Sequence, residues 1–172
     1  LTILEDALGA DHYDLIVILN NLSLMYCSKG QYAKAEPLYL RSLAILENTI
    51  GSEHPDVATM LNNIGLLYYY ESKYLQAEEF HKRSLSIREN VLGSDHPDVA
   101  TSLNNLGLLY FSQGLYTQAE SLYARSLTIL EKALGPDHPN VATSLKNMAK
   151  LYRKTNRAKE AATLEKRAET IM

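Results

Sequence analysis

A single cysteine, Cys27, stands among 172 residues. That excludes an internal disulfide framework and a multi-cysteine metal site, and it fits a reducing compartment such as the cytoplasm. Cys27 lies among apolar positions of a helical pattern and reads as packing rather than chemistry. No apolar run approaches the ~18 residues of a membrane span, and no charged-then-apolar leader opens the chain at Leu1. Seventeen Lys and Arg face 20 Asp and Glu, a formal charge of -3. So balanced a chain has no field that would gather nucleic acid or an anionic membrane surface, and neither is an expected partner. Also missing are the Gly-x-x-x-x-Gly-Lys phosphate loop, the Gly-x-Ser-x-Gly elbow and the His-Glu-x-x-His run. No catalytic residue and no cofactor is therefore expected.

What is present is a repeat. The string Gly-x-x-His occurs as Gly9/His12, Gly51/His54, Gly93/His96 and Gly135/His138, each step being 42 residues. The same period relates Tyr26, Tyr68, Tyr110 and Tyr152; Ala35, Ala77, Ala119 and Ala161; and Arg41, Arg83, Arg125 and Arg167. Self-similarity at a fixed period of this length marks an array of supersecondary units.

Within one unit, Leu61, Ile64, Gly65 and Tyr68 fall at i, i+3, i+4 and i+7, the apolar stripe of an amphipathic helix. A second helix is predicted from about Tyr74 to Leu92, with Ala77, Phe80, Ser84, Leu85 and Ile87 on its inner side. Between them lies Glu71-Ser72-Lys73, with Ser28-Lys29-Gly30 and Ser112-Gln113-Gly114 as counterparts, where a glycine can take the left-handed conformation that ends a helix. At the joint between units Gly93 closes one helix. Either Asp95 or His96 then caps the next, Pro97 sits where its missing N–H costs nothing, and Asp98 suits the positive helix end. The four histidines are thus joint residues, one per unit, too far apart to share the ~2 Å coordination sphere of a zinc ion. His81 stands where the sister units carry Tyr39 and Tyr123, and is read as a packing residue. Small residues at Ser23, Gly65, Gly107 and Ala149, opposite Ala35, Ala77, Ala119 and Ala161, let the two helices of each hairpin approach.

Leu1–Gly9 aligns with the ends of later second helices, so the chain is expected to begin inside a preceding hairpin. The far end differs: residues 146–172 carry eight Lys/Arg and three Glu. Lys146, Lys150, Arg153, Lys154, Arg157 and Lys159 there suit a terminal cap with a wet outer face. The organisation expected is one array over 1–172: the end of a preceding helix at 1–9, repeats at 10–51, 52–93 and 94–135, and a fourth repeat with its cap at 136–172.

The recurring Leu-Gly, Tyr, Ala and small positions resemble the tetratricopeptide repeat. The 42-residue length, with Leu-Gly-x-x-His-Pro-x-Val-Ala and Leu-Asn-Asn-Leu, resembles its kinesin light chain subtype. The resemblance covers essentially the whole chain and implies an all-α, right-handed solenoid of stacked antiparallel hairpins. It also implies a protein-binding scaffold whose first helices line a concave groove for an extended peptide.

Helix geometry then nominates the residues of that face: Asn20, Leu24, Thr59, Asn62, Leu66, Tyr69, Tyr70, Thr101, Asn104, Leu108, Phe111, Lys146, Lys150 and Arg153. Asparagine both donates and accepts, so Asn20, Asn62 and Asn104 could clasp a peptide main chain. Alternatively, the adjacent pairs Asn20-Asn21, Asn62-Asn63 and Asn104-Asn105 hydrogen-bond between stacked helices. Lys146 and Lys150 replace the Asn and Leu of earlier units, so the last repeat is expected either to clamp an acidic side chain or a chain terminus, or to serve only as a soluble cap. Two other readings stay open. One is self-association through Ile3, Leu4 and Leu8; the other is that the array serves as the sensor arm of a larger protein.

Overall fold

The computed structural model describes Gly9 and residues 12–171. Among these residues there are eight helices and no strand: α1 (Leu15–Ser28), α2 (Tyr32–Ile50), α3 (Pro55–Tyr70), α4 (Tyr74–Leu92), α5 (Pro97–Ser112), α6 (Tyr116–Leu134), α7 (Pro139–Lys154) and α8 (Ala158–Ile171). None of them is long and apolar enough to cross a membrane. Ile3, Leu4 and Leu8, on which the preceding helix and the self-association reading rest, lie outside the described residues. The chain falls into two compact units, residues up to Ile87 and residues from Arg88, and the boundary lies within α4.

The joints form as their chemistry dictates, and the cap is the histidine rather than the aspartate. His54, His96 and His138 each sit in extended backbone just ahead of a helix-opening proline, and each Nδ1 accepts the backbone N–H two residues on, at 3.1 Å. The imidazole thereby satisfies one of the four amides that a helix start leaves without an intrahelical partner. Replacing His96 by alanine is expected to cost about 1 kcal/mol in a urea melt, and His96→Asp much less, because a carboxylate also accepts that bond.

The turn inside each hairpin places one residue in the left-handed region: Gly30 at φ 68°, Ser72 at φ 59°, Gly114 at φ 78° and Asn156 at φ 63°. The next amide closes each turn on the carbonyl of the repeated tyrosine, as in Lys73 N–H to Tyr68 O at 2.9 Å and Arg157 N–H to Tyr152 O at 2.8 Å. Ser72, not Lys73, is thus in register with the glycines.

In the first unit α1 packs on α2 and α2 on α3. Leu15, Leu19, Tyr39, Leu61, Ile64 and Leu67 are almost wholly enclosed. In the second unit α5, α6, α7 and α8 pack in sequence around Leu103, Leu109, Tyr123, Leu145 and Leu151. Two devices join the helices within each unit. The buried Ser84 and Ser126 donate from the second helix of a hairpin to the carbonyls of Ala58 and Ala100 on the first, at 2.7 and 2.8 Å. The repeated arginines reach back to the preceding second helix, where Arg83 pairs with Glu47, Arg125 with Glu89 and Arg167 with Glu131. Partly exposed, these pairs fix register more than they add stability.

Candidate binding faces on the first helices

Two hollows of the same make recur at positions two repeats apart. In the first unit a space of about 190 Å³ is lined by Val17, Asn20, Leu46, Asp56, Thr59 and Asn63, with Tyr13, Ile16 and Met60. In the second, about 170 Å³ is bounded by Thr101, Asn104, Ser126, Leu130, Asn140 and Thr143, with Ala100. Residues 17/101, 20/104, 46/130, 56/140 and 59/143 correspond under the 42-residue period. The hydroxyls of Thr59, Thr101 and Thr143 turn back to carbonyls one helical turn earlier. These bonds take up the donor capacity of the hydroxyls.

The three asparagines differ. Asn20 is partly buried, and its Oδ1 is enclosed without a hydrogen-bond donor. Asn104 accepts from Asn147 Nδ2 at 3.1 Å, a side-chain bond between α5 and α7. This is the stacking use that the asparagine pairs also allow. Asn62 is only 7% exposed, which leaves it less accessible than either neighbour in the ladder.

Position 88 of the same register breaks the pattern, and sequence reasoning passed over it. Leu46 and Leu130 line the two hollows, whereas Arg88, 5% exposed, donates to the Asp98 carbonyl at 3.1 Å and to Ser102 Oγ at 2.9 Å. Burial pulls its pKa down, and the Asp98 charge opposes that. Its signal was legible as Leu, Arg, Leu along the period.

A second, more apolar hollow of the first unit, about 100 Å³, is lined by Leu24, Cys27, Tyr39, Leu66, Leu67 and Tyr70, with Asn63. Leu24 and Tyr70 are 47% and 60% exposed. Tyr70 stacks parallel on Tyr32 at 6.2 Å and edge-on against Tyr69 at 5.4 Å. Burial pushes the Cys27 thiol up, so it holds little thiolate at neutral pH. Burial, followed by Cys27, likewise raises the Tyr39 phenol.

In the second unit the exposed Lys150 lays its ammonium 5.4 Å from the centre of the partly buried Phe111 ring, and Leu108 lies one turn before Phe111. Lys146 is exposed on the same helix. Arg153 is exposed but engaged: its Nε donates to Glu165 Oε1 at 2.6 Å, and Nη2 pairs with Oε2. This bond raises the Arg153 pKa and lowers that of Glu165. Arg153 is thus committed to an internal carboxylate rather than held out toward a ligand.

The tetratricopeptide repeat profile matches residues 1–48, 14–89, 56–132 and 102–172, together the whole chain. The chain belongs to the tetratricopeptide repeat family. Among solved structures it is similar to BtubC (BKLC) from P. vanneervenii, with 26% identity and a TM-score of 0.81 over 91% of this chain and 63% of that one. A Podosopora anserina kinesin light chain-like protein with nearly identical TPR-like repeats is 25% identical, with a TM-score of 0.82 over 99% of this chain and 80% of that one. The apo form of RapI, at 19% identity and a TM-score of 0.83 over 99% of this chain and 61% of that one, shares the fold. This chain thus spans less than two thirds of the length of BtubC. A comparison with curated proteins found no match. The tetratricopeptide fold here is all-α, of the 42-residue kinesin light chain-like kind, and such repeats generally mediate protein–protein interaction.

Proposed function

We propose that the first helices of the hairpins hold a partner protein as an extended segment, and that α5 and α7 of the second unit receive an acidic stretch of it. The carrying observation is a polar hollow at Thr101 and Asn104 in the unit where Lys150 crosses Phe111 and Lys146 is exposed. Phe111 gives an aliphatic or aromatic side chain something to pack on, and the lysines answer carboxylates. The protein acts as a scaffold, without catalysis of its own, and Cys27 as a free thiol suits the cytoplasm.

Peptides selected from a display library against the whole chain, read by fluorescence anisotropy, test this reading. Lys146→Glu together with Lys150→Glu is expected to weaken the best acidic peptide at least tenfold, about 1.4 kcal/mol or more, and to remove most of its salt dependence. Unchanged affinity in that double variant would rule the assignment out.

A further inference from the structure

Four features converge on the apolar hollow of the first unit. Its lining is mostly apolar, with Leu24, Leu66 and Leu67 beside the Cys27 thiol, the Tyr39 and Tyr70 rings and the Asn63 amide. Among the lining residues Tyr70 is 60% exposed, with Tyr32 stacked on it and Tyr69 edge-on against it. An aromatic face fixed by two neighbours presents its negative quadrupole without an ordering cost.

The electrostatic setting is acidic. Residues 12–87 of the first unit contain eight Asp and Glu against six Lys and Arg. Three residues after Tyr70, Lys73 is shared between two carboxylates, Glu71 at 2.9 Å and Glu36 at 3.5 Å, which leaves the trio net negative. The Glu71 charge is felt at Cys27 in the hollow wall, where it adds to the rise in the thiol pKa.

The second unit shows what fits such a place. Two repeats on, Leu66 becomes Lys150, Cys27 becomes Phe111 and Tyr70 becomes Lys154. There the chain supplies its own lysine, its ammonium over an aromatic ring. Cations over tyrosines recur elsewhere in the same fold, as with Lys34 on Tyr26 at 5.6 Å and Arg157 on Tyr152 at 3.7 Å. In the first unit that position is Leu66, and the hollow stands open.

We infer that the hollow bounded by Leu24, Cys27, Leu66 and Tyr70 is a subsite for a lysine or arginine side chain of the partner, its methylene stem against the leucines and its charge over Tyr70. The inference rests on the scaffold reading above and adds a chemically opposite subsite to the lysine-bearing face of the second unit. A stem of three or four methylenes with a cationic tip satisfies both the apolar wall and the aromatic rim; a leucine satisfies only the wall.

The test titrates the whole chain with acetyl-Gly-Arg-Gly-amide, its neutral citrulline isostere and its leucine analogue, and follows the NMR signals of Cys27 and Tyr70. The arginine probe is expected to shift both signals saturably, to bind at least fivefold more tightly than the citrulline and leucine probes, and to weaken in 0.5 M salt, roughly three times the physiological ionic strength. Leu66→Lys, which installs the second unit's own cation, is expected to abolish saturable binding while leaving the thermal melt unchanged. Leucine binding as tightly as arginine, no saturable shift, or indifference to Leu66→Lys would each overturn the inference. The library-selected acidic peptide separates the two claims. If it keeps its dependence on Lys146 and Lys150 while the arginine probe fails, only the hollow assignment falls; if it loses that dependence while arginine binds, only the acidic subsite falls.

Discussion

Gly107→Leu is expected to destabilise the chain by about 3 kcal/mol, the upper part of the overpacking range, and to lower the melting temperature by roughly 6–12 °C. A Cβ built on Gly107 would lie 2.8 Å from the Tyr123 ring, and one on Gly65 2.7 Å from the His81 ring, closer than side-chain carbons approach one another. The first hairpin shows how much can be accommodated. There the equivalent residue is Ser23, fully buried, whose Oγ donates to the Leu19 carbonyl at 2.7 Å. A single Cβ is therefore tolerable if the helices move apart slightly, and Gly107→Ala should be near neutral because alanine gains about 1 kcal/mol of helix propensity. Leucine has no such exit. Calorimetry on both variants checks the contrast, and Tyr123→Ala should recover part of the leucine penalty if the ring is the obstacle. A Gly107→Leu chain that melts with the wild type would mean the hairpins do not close as described.

The hairpins were legible because their determinants are local and repeat. Gly and His at each joint, Pro after three of the four histidines, the tyrosine before each turn and the small residues at each crossing act within a few residues of where they stand, and their recurrence in register makes each visible. His96 against Asp95 could not be settled from composition, since both side chains can accept the amide bond; backbone direction at the joint decides. The turn register shifts by one from the sequence reading because no glycine marks the left-handed position, which Ser72 adopts at φ 59°.

The binding faces were legible only in outline. Helix periodicity says which residues share a side of α1, α3, α5 and α7, not which of them another side chain has already taken. Arg153 is an example: its partner Glu165 occupies the place held by Tyr39, His81 and Tyr123 in the other hairpins, so the change from aromatic to acid was the sign that Arg153 has an internal partner. Asn104 is another, since Asn147 lies 43 residues away, one step off the period, and a search at 42 residues aligns Asn147 with Asn105 instead. Exposure along a helix is set by the neighbouring repeat as much as by the helix itself, which is why Asn62 and Asn20 end with different access from equivalent positions.

His81 should make the protein acid-labile at one hairpin. Its imidazole is 1% exposed, faces Gly65, and neither ring nitrogen has a hydrogen-bond partner. Burial alone lowers its pKa from the ordinary 6.5 to about 4. Between those values the unfolded chain binds the proton and the folded chain does not, so the free energy of unfolding rises with pH through this window. Above about pH 6.5 the residue is neutral in both states and makes no pH-dependent contribution. As pH falls below that value stability drains away, and once pH is under about 4 the loss from this one group reaches about 3 kcal/mol. His81→Tyr installs the residue that Tyr123 places against Gly107, and should remove that portion of the acid sensitivity. Urea melts of wild type and variant at pH 7.5, 5.5 and 4.5 decide the matter, since the two stability curves should diverge only below about pH 6.5. Parallel curves across the whole range would show that the imidazole is charged or solvated in the folded chain, and that the second hairpin does not enclose it.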